Sequence, residues 1–217
     1  MYGLRKISKD GKNDYNDFVW PLEVGADEVE APDWNSKQER GGGLHCLPNA
    51  KGEWNILYGH YWAVLEFDER DMVQFVLKKS KLEISKVKKC KIVFLSENPN
   101  GMLKFFDHEK FDSETAFYWA YRIGNKDIMI DKITESKWAY YWAGNIGNKD
   151  IMISKIVESE WAYYWALHIG NRDIMIDRII ESEWAYVWAY FIGNKIKMFF
   201  KFPKIILFVL NIKKITF

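Results

Sequence analysis

Hydrophobic and polar positions recur with a period of 23 residues over the second half of the chain, in copies that begin at Ser113, Ser136, Ser159 and Ser182. The second and third copies match at 16 of 23 positions, which chance does not supply. In the second copy Ala139, Trp142, Ala143 and Ile146 are spaced as one stripe of an amphipathic helix. The serine is placed to cap that helix, with acidic residues beside it, and Gly147 to end it. Gly124, Gly170 and Gly193 hold the same position in the other copies. Asn148 and Asp150 suit the start of a second short helix, whose Ile151, Met152 and Ile156 are core candidates. Partial alternation in the DIMID run also allows a strand, as in leucine-rich or β-helical coils; the alanines of WAYYWA favour helices.

The first half has a different pattern. Short apolar runs at 18–25, 43–47, 61–68, 72–77 and 91–97 are bounded by turn residues, including Gly41-Gly42-Gly43 and Pro99-Asn100-Gly101. A unit of 23 residues cannot bury its own stripe and needs neighbours. The expected fold is therefore α+β. It comprises a small β-rich N-terminal domain at 1–110, an α-helical solenoid of four 23-residue helix-turn-helix repeats at 111–194, and a divergent C-terminal cap at 195–217.

Composition narrows the class. With 48% hydrophobic and 28% charged residues the chain is neither disordered nor collagen-like, and 11 Trp, 12 Tyr and 14 Phe offer unusual ring surface. The balance of 31 basic and 30 acidic residues argues against a whole-protein footprint for nucleic acid. Within it, residues 111–194 carry 8 basic and 12 acidic groups, and 195–217 carry 6 and 0. The tail thus reads as a cap, or alternatively as a basic, apolar surface for a membrane interface, a partner or oligomerisation. Its apolar run, Ile205 to Leu210, is too short to span a membrane. Cys46 and Cys90 read as free thiols of a reducing compartment, and the charged start at Arg5 and Lys6 lacks a secretory pattern, so a cytoplasmic protein is expected.

Candidate chemistry is sparse. His45 beside Cys46 after a glycine turn is the sharpest enzymatic candidate, with nucleotide or ADP-ribose chemistry as the kind a glycine-rich turn could serve. Neighbours on a strand point to opposite faces, so this pair is poorly placed for nucleophile and base, and a non-enzymatic protein is favoured. His45, His60, His108 and His168 show no metal-ligand spacing, and no cofactor is implied. Nucleic acid is expected only if the lysine-rich run at 78–91 touches phosphate; a solvated strand edge explains those lysines better.

The segment FVWPLEVGADEVEAPDW, followed by RGGGLHCLP, WAVLEFDERDMV and KIVFLSE, resembles an uncharacterised domain common in phage and prophage proteins, over about residues 18–97. Arg40 stands where that family usually has Cys, and Cys46 where it has Gly, so no role of the family's cysteine carries over. The WAYYWA…IGN…DIM copies are similar to helical tandem repeats of phage-encoded proteins. The resemblance implies a phage or prophage gene product and no particular reaction.

The most variable adjacent pair in the repeat is Tyr121-Arg122, Gly144-Asn145, Leu167-His168 and Tyr190-Phe191. It lies opposite the Ala/Trp/Ile stripe, beside Tyr118, Tyr141 or Tyr164. These positions read either as unconstrained surface or as a partner-binding face formed by Tyr118, Tyr121, Arg122, Tyr141, Asn145, Tyr164, His168, Tyr190 and Phe191. Trp119, Trp142, Trp165 and Trp188 read as core. The expectation is an interaction protein that binds, and in a phage context inhibits, a host protein such as a bacterial defence (anti-CRISPR-like) complex.

Overall fold

A computed structural model describes residues 1–12, 18–37, 42–76 and 83–202. The chain divides into two compact units, Met1–Phe111 and Asp112–Phe217.

In the first unit the strands are β1 (Tyr2–Ile7), β2 (Val29–Glu30), β3 (Leu44–Pro48), β4 (Tyr61–Glu66), β5 (Met72–Val76), β6 (Glu83–Val87) and β7 (Lys89–Ser96). They form one curled antiparallel sheet in the order β2-β7-β4-β1-β3-β6-β5. The N-terminal strand is therefore near the middle of the sheet, paired with β4 from Tyr2↔Glu66 to Ile7↔Tyr61 and with β3 at Leu4↔Leu47. Alternation explains how both faces are filled. Ile7, Leu44, Cys46, Leu65, Val87 and Ile92 join Trp20 in one buried cluster, while Leu4, Leu47 and Val64 are buried on the opposite face. Gly3 permits the close approach of β1 to β3, since a Cβ there would lie 2.7 Å from the Cys46 sulfur.

In the second unit four ten-residue helices, α1 (Ser113–Arg122), α3 (Ser136–Asn145), α5 (Ser159–His168) and α7 (Ser182–Phe191), alternate with short ones. The short helices are α2 (Lys126–Met129), α4 (Lys149–Met152), α6 (Arg172–Arg178) and α8 (Lys195–Lys201).

Several expectations are corrected by this architecture. A solenoid of four helix-turn-helix repeats is not what forms: the chain makes a curled seven-stranded antiparallel sheet and then eight helices of unequal kind. The physical reason lies in the second segments. In the first two copies each is a single α turn continued by a 3-10 turn, at Ile130–Lys132 and Ile153–Lys155, too short to serve as a helical arm. The fourth copy loses the pattern after Asn194. The expected cap at 195–217 begins as α8, and its residues 203–217 lie outside the described residues. The run at 18–25 is not a strand; only Val19 makes an isolated bridge, to Lys12. Its Pro21, without an N–H, interrupts any ladder there. β1 and β6 were not expected, because Arg5, Lys6 and Lys86 mask their alternation.

The repeated serine has a different role from the one expected. Asp112, Glu135, Glu158 and Glu181 occupy the cap positions, and the serine is the first helical residue. The Ser136 hydroxyl donates to the Lys155 carbonyl (3.2 Å) and accepts from the N–H groups of Val157 (2.9 Å) and Glu158 (3.3 Å). Ser113 and Ser159 repeat this pattern with the ends of their own copies. Each such serine, buried, closes the 23-residue copy that it begins. In the Gly-Asn pair between the helices the glycines end the first helix with positive φ, as expected, whereas Asn125, Asn148, Asn171 and Asn194 sit in the left-handed region and make no side-chain cap.

Consecutive copies are clasped by a basic residue. The Lys155 ammonium donates to the carbonyls of Ile130 (2.9 Å) and Ile133 (2.6 Å), and Arg178 reaches those of Ile153 and Ile156. Lys201 does the same with Ile176 and Asp177. These carbonyls lie at the ends of the preceding short helices, where Ile130, Ile153 and Ile176 accept only a long bond of 3.3–3.4 Å from the N–H three residues on, so a cation suits their free lone pairs and the negative end of the helix. Desolvation lowers the Lys155, Arg178 and Lys201 pKa values, with the nearby Asp131 partly opposing it at Lys155.

Candidate interaction surface

The enzymatic candidate in the first unit does not assemble a reactive pair. Cys46 is in the buried cluster, and burial, then the nearby Cys90, pushes its thiol up to about 12. Burial likewise pushes Cys90 up to about 12, so neither sulfur is a ready thiolate. His45 pairs across the sheet with Lys86, and its carbonyl accepts from Arg5. Burial, then the charges of Arg5 and Lys86, pushes the imidazole down to about 4. It is a neutral ring held between cations.

Lys86 corrects the view of the lysine-rich run as a solvated edge. Its side chain is fully buried, with the ammonium donating to the Asn35 carbonyl (2.7 Å) and lying over the rings of Trp34 and Phe75. Lys88 and Lys89 pair with Glu30 (3.4 Å) and Glu28 (3.0 Å). Lys78, Lys79 and Lys81 lie outside the described residues, as do Arg40 and Gly41. Among the described residues no group of His, Cys, Asp and Glu could hold a metal ion, and no helix is long and apolar enough to cross a membrane.

In the second unit Trp119, Trp142, Trp165 and Trp188 are fully buried, with Met129, Met152 and Met175 of the short helices beside them in the core. Ile156 is buried too, but Ile151, expected in the core, is exposed, as are Ile128 and Ile174 at the same place in the other copies. Each lies one residue before the buried methionine, on the outer side of its short helix.

The long helices are linked by a ladder of rings. Phe117 meets Trp138 (5.3 Å between centroids), Tyr140 meets Trp161 (5.6 Å), and Tyr163 meets Trp184 (5.5 Å). Tyr141 touches both Phe117 and Trp161, and Tyr164 both Trp161 and Trp184. Such offset and edge contacts hold the rings in fixed orientations. On this ladder the expected face is laid out. Tyr121, 54% exposed, stacks on Phe117, and Tyr141 is 37% exposed. Asn145 is exposed and donates to the Tyr141 carbonyl, while Tyr118 and Arg122 are half-buried. Tyr164 is half-buried and stacks on the exposed His168, whose Nδ1 is 2.9 Å from the Tyr140 hydroxyl. Tyr190 and Phe191, 69% and 65% exposed, meet edge to face.

The structure thus brings Tyr140, Tyr164 and His168 together from α3 and α5, and Tyr121 with Tyr141 through Phe117. Tyr190 and Phe191 make their described ring contacts within α7. Sequence reasoning missed Tyr140, Trp138, Trp161 and Trp184 as parts of this face. The recurring tryptophan two residues after each serine of copies two to four was the available signal. A shallow concavity of about 510 Å3 at the end of α5 is lined by Ala166 to Asp173. Compared with family models, curated proteins and solved structures, the chain finds no match in any of the three.

Proposed function

We propose that this is a non-enzymatic interaction protein that captures another protein on the outer face of its long helices. The observation that carries the reading is the set of exposed rings on the long helices, Tyr121 and Tyr141 held on a ladder of packed aromatics and Tyr190 with Phe191 edge to face on α7. Rigid aromatics lose little entropy on binding and supply most of the energy of many interfaces. The neighbouring pair varies between copies while the ladder is retained, as suits a fixed scaffold with an adjustable surface. The resemblance of residues 18–97 to a phage domain makes a host protein, including one of a bacterial defence complex, the partner class to examine first.

The test replaces Tyr141, Tyr164 and His168 by serine and Arg122 by alanine in the full chain, and compares partner capture and melting temperature with the unchanged protein. Loss of capture with the melting transition retained supports the reading. Capture unchanged by all four substitutions removes this face from consideration.

A further inference from the structure

One position of the repeat shows how the ring ladder treats a cation. Lys137 follows the serine that opens α3, and its ammonium lies 4.7 Å from the centroid of the neighbouring Trp138 ring. Trp138 is 5% exposed. In the next two copies the lysine is replaced by Glu160 and Glu183, beside Trp161 and Trp184. Both of these indoles are half-buried, and no cation lies over either among the described residues. Among those residues Glu160 and Glu183 also make no ion pair. Each of these indoles meets rings of the preceding helix, Phe117 and Tyr118 for Trp138, Tyr140 and Tyr141 for Trp161, and Tyr163 and Tyr164 for Trp184, and the first two also meet Tyr141 and Tyr164 of their own helices. The charge beside the ring changes sign between Lys137 and the two glutamates.

We infer that Trp161 with Glu160, and Trp184 with Glu183, are paired receptor positions for basic side chains of a partner protein, which take the place that Lys137 takes on Trp138. The inference rests on the proposed interaction face and specifies what that face reads. An indole face attracts a cation through its quadrupole, and an adjacent carboxylate adds a charge-assisted bond. Arginine fits best, because its planar guanidinium stacks on the ring while its edge meets the carboxylate. Charge complementarity extends beyond the two sites: Glu158 and Glu181, which precede α5 and α7, are exposed on the same ends. Lys155 and Arg178 donate to backbone carbonyls and, among the described residues, form no ion pair with these glutamates. The partner segment carries at least two basic side chains, one for each copy.

The experiment titrates the full chain with a peptide of alternating arginine and serine, followed by calorimetry and by tryptophan fluorescence. Lysine-serine and glutamate-serine peptides serve as comparisons. The arginine peptide binds and quenches the indoles, the lysine peptide binds more weakly, and the glutamate peptide does not bind. Raising the salt weakens binding. The double variant Glu160→Lys, Glu183→Lys supplies its own cations, as Lys137 does, and loses about tenfold or more in affinity while keeping its melting transition. Lys137→Glu opens a third position beside Trp138 and strengthens binding several-fold. An arginine peptide without heat or quenching overturns the inference, as does a double variant that binds it equally well. Failure of the peptide alongside capture that still depends on Tyr141 and Tyr164 sinks this inference and leaves the proposed function standing; loss of both removes both.

Discussion

The two units handle the same difficulty, a cation withdrawn from water, in different ways. In the sheet each cation has its own surroundings: Lys86 gives its ammonium to the Asn35 carbonyl beside the rings of Trp34 and Phe75, and Arg5 reaches the His45 carbonyl over the Trp20 ring. In the helical unit the solution is repeated, with Lys155, Arg178 and Lys201 each reaching two carbonyls that end a short helix of the preceding copy. The contrast follows from chain topology. A sheet with order β2-β7-β4-β1-β3-β6-β5 joins residues distant in sequence, so each buried polar group finds its own partner. Short helices one period apart present the same terminal carbonyls each time, so a basic side chain recurring every 23 residues, at Lys155, Arg178 and Lys201, meets the same need.

The sharpest way to break this comparison is at the buried indoles. Trp142→Ala removes the largest fully buried side chain of its copy and is expected to cost about 3–5 kcal/mol, with hydrogen exchange showing the loss in the helical unit. Denaturant unfolding that moves by less than about 1 kcal/mol would mean that the copies do not depend on their tryptophans.

Acid sharpens the comparison from the sheet side. The folded His45 pKa of about 4 lies below the ordinary 6.5, so between these values the unfolded chain takes up a proton that the folded chain does not. Its contribution is complete above about pH 6.5 and is lost as the pH falls towards 4, a change on the order of 2–3 kcal/mol. Urea unfolding of the wild type and of His45→Asn across that range measures it. Equal slopes for the two would place the acid sensitivity elsewhere.

Next in size is the repeated serine. Ser136→Ala removes a buried hydroxyl that the N–H groups of Val157 and Glu158 use as their acceptor, for about 1–3 kcal/mol. Ser182, exposed and followed at the corresponding position by Pro203, which has no N–H, changes stability by less than about 0.5 kcal/mol on the same substitution. Equal losses at the two serines would refute the closing role given to Ser113, Ser136 and Ser159. The smallest effect belongs to the outer face: Tyr190→Ser shifts unfolding by less than about 0.5 kcal/mol, because its ring is 69% exposed. A larger loss there would mean that the ring is part of the fold instead of being available to a partner.

The candidate face was partly legible. The variable pair pointed to Tyr121, His168 and Phe191, because variation inside a repeat marks positions that the internal packing leaves unconstrained. The ladder that orders the face was not legible. Tyr140 and Trp161 meet only because α3 and α5 lie side by side, and no spacing within one helix reveals contacts between helices. The role of the serine was hidden for a related reason: Ser136 at a helix start looks like a cap until its hydrogen-bond partners, nineteen to twenty-two residues away, are known.

The sequence by itself determined the helix starts at Ser113, Ser136, Ser159 and Ser182, the buried tryptophan stripe and most of the strands, because these depend on local periodicity and side-chain size. Only the tertiary structure decided that the second segments of the first two copies shorten to single turns, that β1 lies near the middle of a curled sheet, and which charges are spent on backbone carbonyls. Those outcomes depend on which groups of distant segments meet away from water, and the energy of such a meeting belongs to the pair and not to either residue.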